Sequence, residues 1–267
     1  MMITLELDTV DLAQIAESGQ CFRMAPLEDG RWLVPMGRWM ATARQRDARR
    51  IELSADGEDS TFLDAARRYF DADTDYLTAI HAIDPSDTYL NAAAEAGRGI
   101  RILRQPLFET LISFIVSQNN NIPRIRTIIA KLCGGADKPF PKPKQLAAWT
   151  EDELRAIGLG YRAPYVRGAA ERFDESEEAR LLEMDYETAK ASLMAYHGVG
   201  PKVADCVCLF ALGHKEAFPQ DVWVKRILAR HYPNGFAQMD SPFAGVYQQY
   251  MFAYERERGY GFRLDKD

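Results

Sequence analysis

The chain lacks the signatures of several protein classes. Its 267 residues include four cysteines, too few and too scattered for a disulfide framework: Cys21, Cys133, Cys206 and Cys208. No CxxC pair or cysteine-rich cluster occurs that would bind zinc or an iron–sulfur cluster, so we predict no metal and no cofactor. No apolar run approaches the ~20 residues that span a bilayer. Neither a dinucleotide-binding glycine motif nor a P-loop is present, which argues against an acidic small-molecule enzyme.

The first residues, MMITLELDTVDL, have neither the basic nor the apolar region of a signal peptide. Scattered cysteines without a pairing pattern fit a reducing compartment. We therefore expect a cytoplasmic protein, associated with the nucleoid if the source is a prokaryote. We also expect a monomer without a membrane partner.

Acidic residues outnumber basic ones, 39 to 33. The net charge of -6 and the pI of about 5.4 argue against a protein that coats nucleic acid without specificity. A local basic face remains compatible with this composition, because phosphate contacts need only a handful of cationic side chains. The acidic stretches at residues 55–75 and 174–187 would then lie away from that face.

The pattern of apolar residues divides the chain into two parts. Residues 1–54 contain short alternating runs separated by turn residues, which predict antiparallel strands: ITLEL, QCFRM, RWLVPM, RWMATARQ and ARRIELS. Residues 11–18 predict a short helix, and from Thr61 onward every segment has helical spacing. We predict an α+β protein, mainly α, with an antiparallel β-sheet domain and flanking helices at residues 1–86. An all-α domain at residues 87–267 packs against it.

Residues 186–213 carry the strongest local pattern: helix, tight hairpin, helix. Asp185 is a good N-cap for the first helix. Gly198 stands where a left-handed residue ends a helix, and Pro201 suits the first turn of the next one. We expect this second helix to run through Leu212.

The hairpin predicts an anion site next to a candidate nucleophile. Backbone N–H groups of Gly198, Val199 and Gly200, at the start of a helix, form a nest that fits a nucleic-acid phosphate. Lys202 lies in the first turn of that helix, and a neutral amine is a nucleophile. Cys206 follows one turn later on the same face, so it should look into the same space.

A candidate carboxylate follows the hairpin. Asp221 should cap a helix over residues 222–231 and is near enough in sequence to fold back toward Lys202. Each feature has an ordinary alternative: a lysine in a first turn is usually solvated, an N-cap aspartate is usually only a cap, and glycine hairpins are mostly structural. The order and spacing of the features are more specific than any single one.

The hairpin, its lysine and the aspartate nineteen residues later resemble the helix-hairpin-helix DNA glycosylases with the Gly/Pro-Asp loop. Within them, the chain resembles the 8-oxoguanine DNA glycosylase family. Five segments carry this match, the last more weakly: SGQCFRM at 18–24, SQNNNIPRI at 117–125, GLGYRAPYV at 158–166, GVGPKVADCVC at 198–208 with PQDV at 219–222, and SPFAGVYQQYMF at 241–252. They span nearly the whole chain in family order.

The resemblance implies excision of 8-oxoguanine, preferably opposite cytosine, from double-stranded DNA. The target nucleotide must leave the base stack and enter a pocket. Lys202 would attack C1′ and form a Schiff base that permits β-elimination, giving strand cleavage as well as base removal. Asp221 would stabilise the positive charge that develops on the sugar.

The resemblance also implies a set of base contacts. Gly19 matches a glycine whose carbonyl accepts the N7–H of 8-oxoguanine, a proton that guanine lacks. Gln248 matches a residue that reads the Watson–Crick edge, and Phe252 and Cys206 match groups on the two faces of the base. The alternatives are that Gly19 only ends a helix, and that the Gln/Phe pair is ordinary filler of one helix face.

For the opposite strand, the family likeness implies that Asn119, Arg124 and Arg162 contact the orphaned cytosine. Tyr161 matches a wedge that fills the space of the extruded base. Arginine forks suit the acceptor edge of cytosine, so we expect loss of Arg124 to relax the preference for cytosine. Without the resemblance, the asparagine run would be a turn and Arg162 a solvated residue.

Three positions depart from the family pattern. Trp223 stands where relatives often have a histidine near the target phosphate, and indole cannot become charged. His197 replaces the usual hairpin proline, and Met24 replaces a typical tryptophan. These departures put phosphate contact, rate and lesion range in question.

Two other functions remain open. A glycosylase/lyase of broader oxidised-purine range would carry the same catalytic pair. A helix-hairpin-helix module that only binds DNA belongs to another class and gives no reason for Lys202 or Asp221. Trapping of a covalent protein–DNA adduct distinguishes the enzyme from the binding module.

Overall fold

The computed structural model describes residues 1–57 and 59–259. The strands are β1 (Met2–Glu6), β2 (Ala25–Pro26), β3 (Trp32–Met36), β4 (Trp39–Asp47) and β5 (Arg50–Ser54). They form one antiparallel sheet in the order β1-β5-β4-β3-β2. Strands β2 to β5 are a meander, and β1 pairs at the free edge of β5. The predicted antiparallel sheet at the N-terminus is confirmed.

Helices make up most of the remaining chain. They are α1 (Leu12–Glu17), α2 (Phe62–Tyr69), α3 (Tyr76–His81), α4 (Thr88–Ala96), α5 (Leu107–Ser117), α6 (Ile122–Cys133), α7 (Pro143–Ala147), α8 (Glu151–Ala156), α9 (Ala163–Arg172), α10 (Glu175–Leu182), α11 (Tyr186–Met194), α12 (Pro201–Val207), α13 (Val222–His231) and α14 (Ala244–Glu257). A 3₁₀ turn at Gly160–Arg162 precedes α9. In the part of the chain that the structure describes, no helix is both long and apolar enough to cross a membrane.

One predicted strand is wrong. Residues 20–24 are irregular, and only the short β2 follows them. Their side chains bind distant segments instead: Gln20 Nε2 donates to the Arg101 carbonyl at 2.9 Å, and the Arg23 guanidinium pairs with the Glu109 carboxylate at 3.0 Å. Tertiary contacts have overridden the local strand propensity.

The buried apolar residues form two clusters. One lies between the sheet and helices α1 and α2, and includes Leu5, Ile51 and Phe62. The other surrounds α5, in which residues 107–116 are all buried. A helix buried on every side belongs in the centre of a domain, and α5 packs against α6, α9 and α12. The predicted domain boundary between residues 86 and 87 stays a prediction.

Arg101 joins the sheet region to the helical region. Its side chain is fully buried, and its guanidinium carbon lies 4.3 Å from the ring centroid of Tyr76. The guanidinium donates to the Asp8 carboxylate and to four backbone carbonyls: those of Thr9, Phe70, Asp71 and Thr74. Because an arginine has five N–H donors, these bonds satisfy the whole group.

The helix-hairpin-helix motif forms where the sequence predicts it. The Asp185 side chain caps α11 by accepting from the Thr188 N–H. After the hairpin, α12 continues as a π-helical turn over Cys208–Leu212, which ends at the left-handed Gly213 with φ +84°. Hence the predicted helix through Leu212 is confirmed, with a change of helix type in its second half.

Candidate active site and nucleic-acid interface

The hairpin between α11 and α12 is held in one conformation by its glycines. Gly198 has φ +82°, and a Cβ there would lie 2.4 Å from the ring of Tyr165, so only glycine fits. The Val199 N–H donates to the Tyr196 carbonyl at 3.0 Å. This N–H is therefore engaged within the turn. Gly200 is the N-cap of α12.

Lys202 lies in the first turn of α12, half-buried between α5 and Cys206. Its Nζ is 5.1 Å from the ring centroid of Phe114, a distance at which a cation is attracted to an aromatic face. The charge of the amine lowers the pKa of the Cys206 thiol, which lies one turn later on the same face of α12. The predicted shared face of Lys202 and Cys206 is present in the fold.

The charges of Lys202 and Asp221 both act on the Cys206 thiol. Burial raises the pKa of Cys206 to about 11; the Lys202 charge opposes this rise and the Asp221 carboxylate adds to it. Both charged groups therefore lie within electrostatic range of one buried sulfur. The thiol itself is protonated at neutral pH, and only a thiolate is a good nucleophile. The thiol is therefore not a good nucleophile at this place.

Asp221 is positioned by the start of α13. Its Oδ1 accepts from the Val224 N–H at 2.8 Å, which confirms the predicted cap. An N-cap aspartate is fixed by the helix that it caps, so the carboxylate beside Cys206 has a defined location. It caps α13 and also raises the pKa of the Cys206 thiol.

Gly19 and Phe252 are brought together from opposite ends of the chain. Gly19 follows α1 with φ +82°, and a Cβ on it would lie 3.0 Å from Phe252 Cε1. Gln248 lies one turn before Phe252 on α14 and is 4% exposed. Its Oε1 accepts from Gln249 Nε2 at 2.9 Å. Three of the residues matched to base recognition thus lie on α14 or against it.

Asn119, Tyr161 and Arg162 form a second group, at the loop after α5. Asn119 has φ +46°, and its Nδ2 lies 3.1 Å from the Tyr161 hydroxyl oxygen. Tyr161 is 51% exposed, and the Arg162 guanidinium covers its ring at 4.4 Å. An exposed aromatic ring held by its neighbours suits a wedge that enters a base stack.

Arg162 is itself almost completely buried, unlike the solvated residue that its local sequence indicates. It is 4% exposed. Its Nε donates to the Gln118 carbonyl at 2.8 Å, and its Nη2 donates to the carbonyls of Gln118 and Asn119. Most of the guanidinium is therefore bound to the chain. Arg124, by contrast, is exposed, with one bond of 3.3 Å from Nη2 to the Gly158 carbonyl.

Two residues that the sequence reading did not select hold these groups together. Gln118 Nε2 donates to the Gly198 carbonyl at 3.0 Å, and the Tyr165 ring packs on Gly198. Both residues lie in segments that carry the family resemblance. The sequence could have identified Gln118 as a site residue in another way, because it follows Phe114 by one helical turn and so lies on the same face of the helix.

The three departures from the family pattern lie in different surroundings. The half-buried Trp223 has the Arg226 guanidinium 4.9 Å from its ring centroid. His197 is exposed and meets Tyr165 edge to face, with 4.6 Å between ring centroids. Met24 is buried in the sheet-side cluster. Among the described residues, no group of three or more His, Cys, Asp or Glu side chains could hold a metal ion.

Family models match the two parts of the chain. Residues 2–111 match the N-terminal domain of 8-oxoguanine DNA glycosylase. Residues 112–238 match the HhH-GPD superfamily of base excision DNA repair proteins. Together the two matches cover the sheet, the hairpin and Asp221.

Individual relatives agree with the family models. The N-glycosylase/DNA lyase of Saccharomyces cerevisiae is 42% identical over 159 residues, which are 51% of this chain and 42% of the yeast protein. The chain therefore spans less than half the length of this relative. The structure of MBOgg1 in complex with a low-affinity DNA ligand has a TM-score of 0.86 and 33% identity, covering 97% of this chain and 96% of that one.

The 8-oxoguanine glycosylase/lyase of Clostridium acetobutylicum has been solved with double-stranded DNA that contains cytosine opposite 8-oxoguanine. That structure has a TM-score of 0.84 and 28% identity, over 94% of this chain and 93% of that one. The fold, the hairpin with its lysine and the two matched domains lead to one assignment: the chain belongs to the 8-oxoguanine DNA glycosylase family, a helix-hairpin-helix family of DNA N-glycosylase/lyases.

Proposed function

We propose that the protein excises 8-oxoguanine from double-stranded DNA and then cleaves the strand at the resulting site. One observation carries this proposal: the charges of the Lys202 amine and the Asp221 carboxylate both act on the same buried Cys206 thiol, and Lys202 lies in the first helical turn after a helix-hairpin-helix hairpin. An amine and a carboxylate at one place can supply both the nucleophile and the charge stabilisation that the reaction needs.

The reaction begins with extrusion of the damaged nucleotide. Lys202, as the neutral amine, forms a bond to C1′ while the bond from C1′ to the base breaks, and the base leaves with that electron pair and takes up a proton. The amine loses a proton, and the sugar ring opens to give a protonated Schiff base. Removal of a C2′ proton then expels the 3′ phosphate. Asp221 stabilises the positive charge on the sugar during departure of the base.

Discrimination against guanine rests on Gly19. Its carbonyl would accept the N7–H of 8-oxoguanine, whereas guanine would present a lone pair to the same oxygen. An unpaired polar contact of this kind in a closed pocket costs about 1–3 kcal/mol. The close approach of Gly19 to Phe252 supports a pocket in which Phe252 stacks on the base, Gln248 reads its Watson–Crick edge and Cys206 covers its other face.

The preference for cytosine in the opposite strand would come from the second group. Asn119, Arg124 and Arg162 would contact the orphaned base, and Tyr161 would fill the gap in the stack. The exposed Arg124 is free to do this directly. Arg162 would contact cytosine through Nη1, which donates to the Leu159 carbonyl at 3.3 Å, and would keep the bonds of Nε and Nη2 to the loop. The backbone N–H groups of Gly198 and Gly200 would contact phosphate, whereas that of Val199 is bound to the Tyr196 carbonyl.

Borohydride trapping tests the proposed chemistry. Reduction of the Schiff base should link the wild-type protein covalently to DNA that contains 8-oxoguanine, and Lys202→Ala should abolish the adduct. Lys131→Ala, which removes an exposed lysine from α6, is the matched control and should give the wild-type yield. Absence of a wild-type adduct on both lesion and abasic DNA would favour the binding module. Equal excision of several oxidised purines would favour the broader lesion range.

A further inference from the structure

Gln118 connects the loop of the second group to the hairpin of the first. It follows the last residue of α5 and is the C-cap of that helix. Its side-chain Nε2 donates to the Gly198 carbonyl at 3.0 Å and to the Ile115 carbonyl at 3.3 Å. Both donors of the amide are therefore directed at backbone carbonyls, one of them in the hairpin.

The backbone of the same residue belongs to the loop that Arg162 holds. The Gln118 carbonyl accepts from Arg162 Nε at 2.8 Å and also from Nη2, and the next carbonyl, that of Asn119, accepts from Nη2 at 3.0 Å. A base that does not fit, and that draws Nε and Nη2 of Arg162 away from this loop, would release or shift the Gln118 carbonyl. The side chain of Gln118 would move with its backbone.

The hairpin cannot absorb such a movement internally. Gly198 is in contact with the Tyr165 ring on one side and bound to Gln118 on another, and Lys202 follows it by one helical turn. Phe114 on α5 contacts Lys202. Gln118, four residues later, binds Gly198, which precedes Lys202 by four residues. A displacement of the Gly198 carbonyl is therefore transmitted to the start of α12 and to the Lys202 amine.

We propose that Gln118 is a positioning residue that couples the fit of the base opposite the lesion to the placement of the Lys202 amine. This inference rests on the proposed glycosylase function and adds a specificity-determining residue to it. A base that satisfies Arg162 and Asn119 leaves the Gln118–Gly198 bond intact and the amine in line with C1′. A base that does not fit displaces Gln118, and a shift of about 1 Å in a reacting group can slow a reaction by about 100-fold.

Single-turnover excision of 8-oxoguanine opposite cytosine and opposite adenine tests the coupling. Gln118→Leu keeps a side chain of similar size and removes the donor. We expect the rate opposite cytosine to fall about 10-fold, and the rate opposite adenine to change by less than about 2-fold, because the mismatch already displaces the amine. The Kd for DNA should change by less than about 3-fold, which assigns the loss to kcat and not to KM.

Gln118→Glu gives a second test, the pH dependence of the excision rate, which loss of packing alone would not change. An ionised carboxylate is repelled by the Gly198 carbonyl, whereas the protonated acid can donate to it. The excision rate of this variant opposite cytosine, relative to wild type, should therefore rise as the pH falls from about 7 to about 4.5, close to the ordinary glutamic acid pKa of about 4.3. A ratio that does not depend on pH would overturn the inference.

Gln45→Leu is the matched control. Gln45 Nε2 also donates to a backbone carbonyl of another segment, that of Val10 at 3.0 Å, but within the sheet region. For Gln45→Leu, the ratio of the excision rates opposite cytosine and opposite adenine should equal that of wild type. A Gln118→Leu protein that keeps this ratio, or loses both rates equally, overturns the coupling and leaves the glycosylase proposal standing. A wild-type protein with neither excision nor a trapped adduct overturns both.

Discussion

Arg101 and Arg162 are both buried arginines that donate to backbone carbonyls, yet they hold different parts of the molecule. Arg101 lies between the two apolar clusters, and its partners include the Asp8 carboxylate. Arg162 lies under an exposed tyrosine, and its partners are carbonyls of a surface loop. The same fork of donors joins separate segments of the N-terminal part in one place and holds a candidate DNA-contacting loop in the other. Burial of an arginine therefore does not by itself distinguish a structural from a functional role; the position of its acceptors does.

We expect the largest loss of stability from Arg101→Leu. This change leaves the Asp8 carboxylate and four carbonyls without their donor, and removing one partner of a buried ion pair costs about 3–5 kcal/mol. Denaturant unfolding should show a free energy of unfolding lower by that amount. At low temperature, the protein that remains folded should excise 8-oxoguanine with the same preference for the opposite base as wild type. A stability change below about 1 kcal/mol would contradict the assigned role.

A smaller effect is expected at Asp71, whose carbonyl is one of the acceptors of Arg101. Burial opposes ionisation of this carboxyl, but the charge of Lys215, with Arg104, outweighs burial and holds its pKa below the usual range. A depressed folded pKa stabilises the protein above the unfolded value of about 3.9 and loses this effect as the pH falls through the folded pKa.

The test is Asp71→Asn. Asparagine tolerates the left-handed backbone at this position, φ +47°, so the change removes charge without adding strain. We expect a loss of about 2 kcal/mol in the free energy of unfolding at about pH 7. The difference from wild type should shrink below about pH 4. A difference of constant size across that range would show that charge is not the cause.

Arg162→Lys should affect specificity more than stability. Lysine keeps the charge but cannot bind two carbonyls with a planar fork, so we expect a loss of about 1–2 kcal/mol in unfolding. The ratio of excision rates opposite cytosine and adenine should fall toward one. A variant with lower stability and an unchanged ratio would make Arg162 structural, like Arg101.

We expect the smallest change in stability from Arg124→Ala. Because Arg124 is exposed, its loss should alter unfolding by less than about 0.5 kcal/mol while relaxing the preference for cytosine. Unchanged discrimination would exclude Arg124 from contact with the opposite base.

Local signals predicted the helix-hairpin-helix motif well. The caps at Asp185 and Asp221, the left-handed Gly198 and the proline at the start of α12 each act within one or two turns of chain. Such features are visible in the sequence because the interacting groups are neighbours in it. The alternating strands of the sheet were predicted for a similar reason.

The features that were not predicted depend on partners far apart in sequence. Residues 20–24 alternate like a strand, but Gln20 and Arg23 are bound to segments more than 80 residues away. The burial of Arg162 and the bond from Gln118 to Gly198 likewise join separate segments of the chain. Periodicity describes one element at a time and carries no information on which distant carbonyl will meet a side chain.

The burial of the thiols has a consequence for how the enzyme would withstand oxidants. All four cysteines are free, and burial raises the pKa of each, to about 12 for Cys21 and about 11 for Cys133 and Cys206. Peroxide reacts with thiolates and only slowly with protonated thiols, so thiol titration during peroxide treatment should show little loss. A protein with the proposed activity would thus keep its own sulfur atoms reduced under the conditions that oxidise DNA bases.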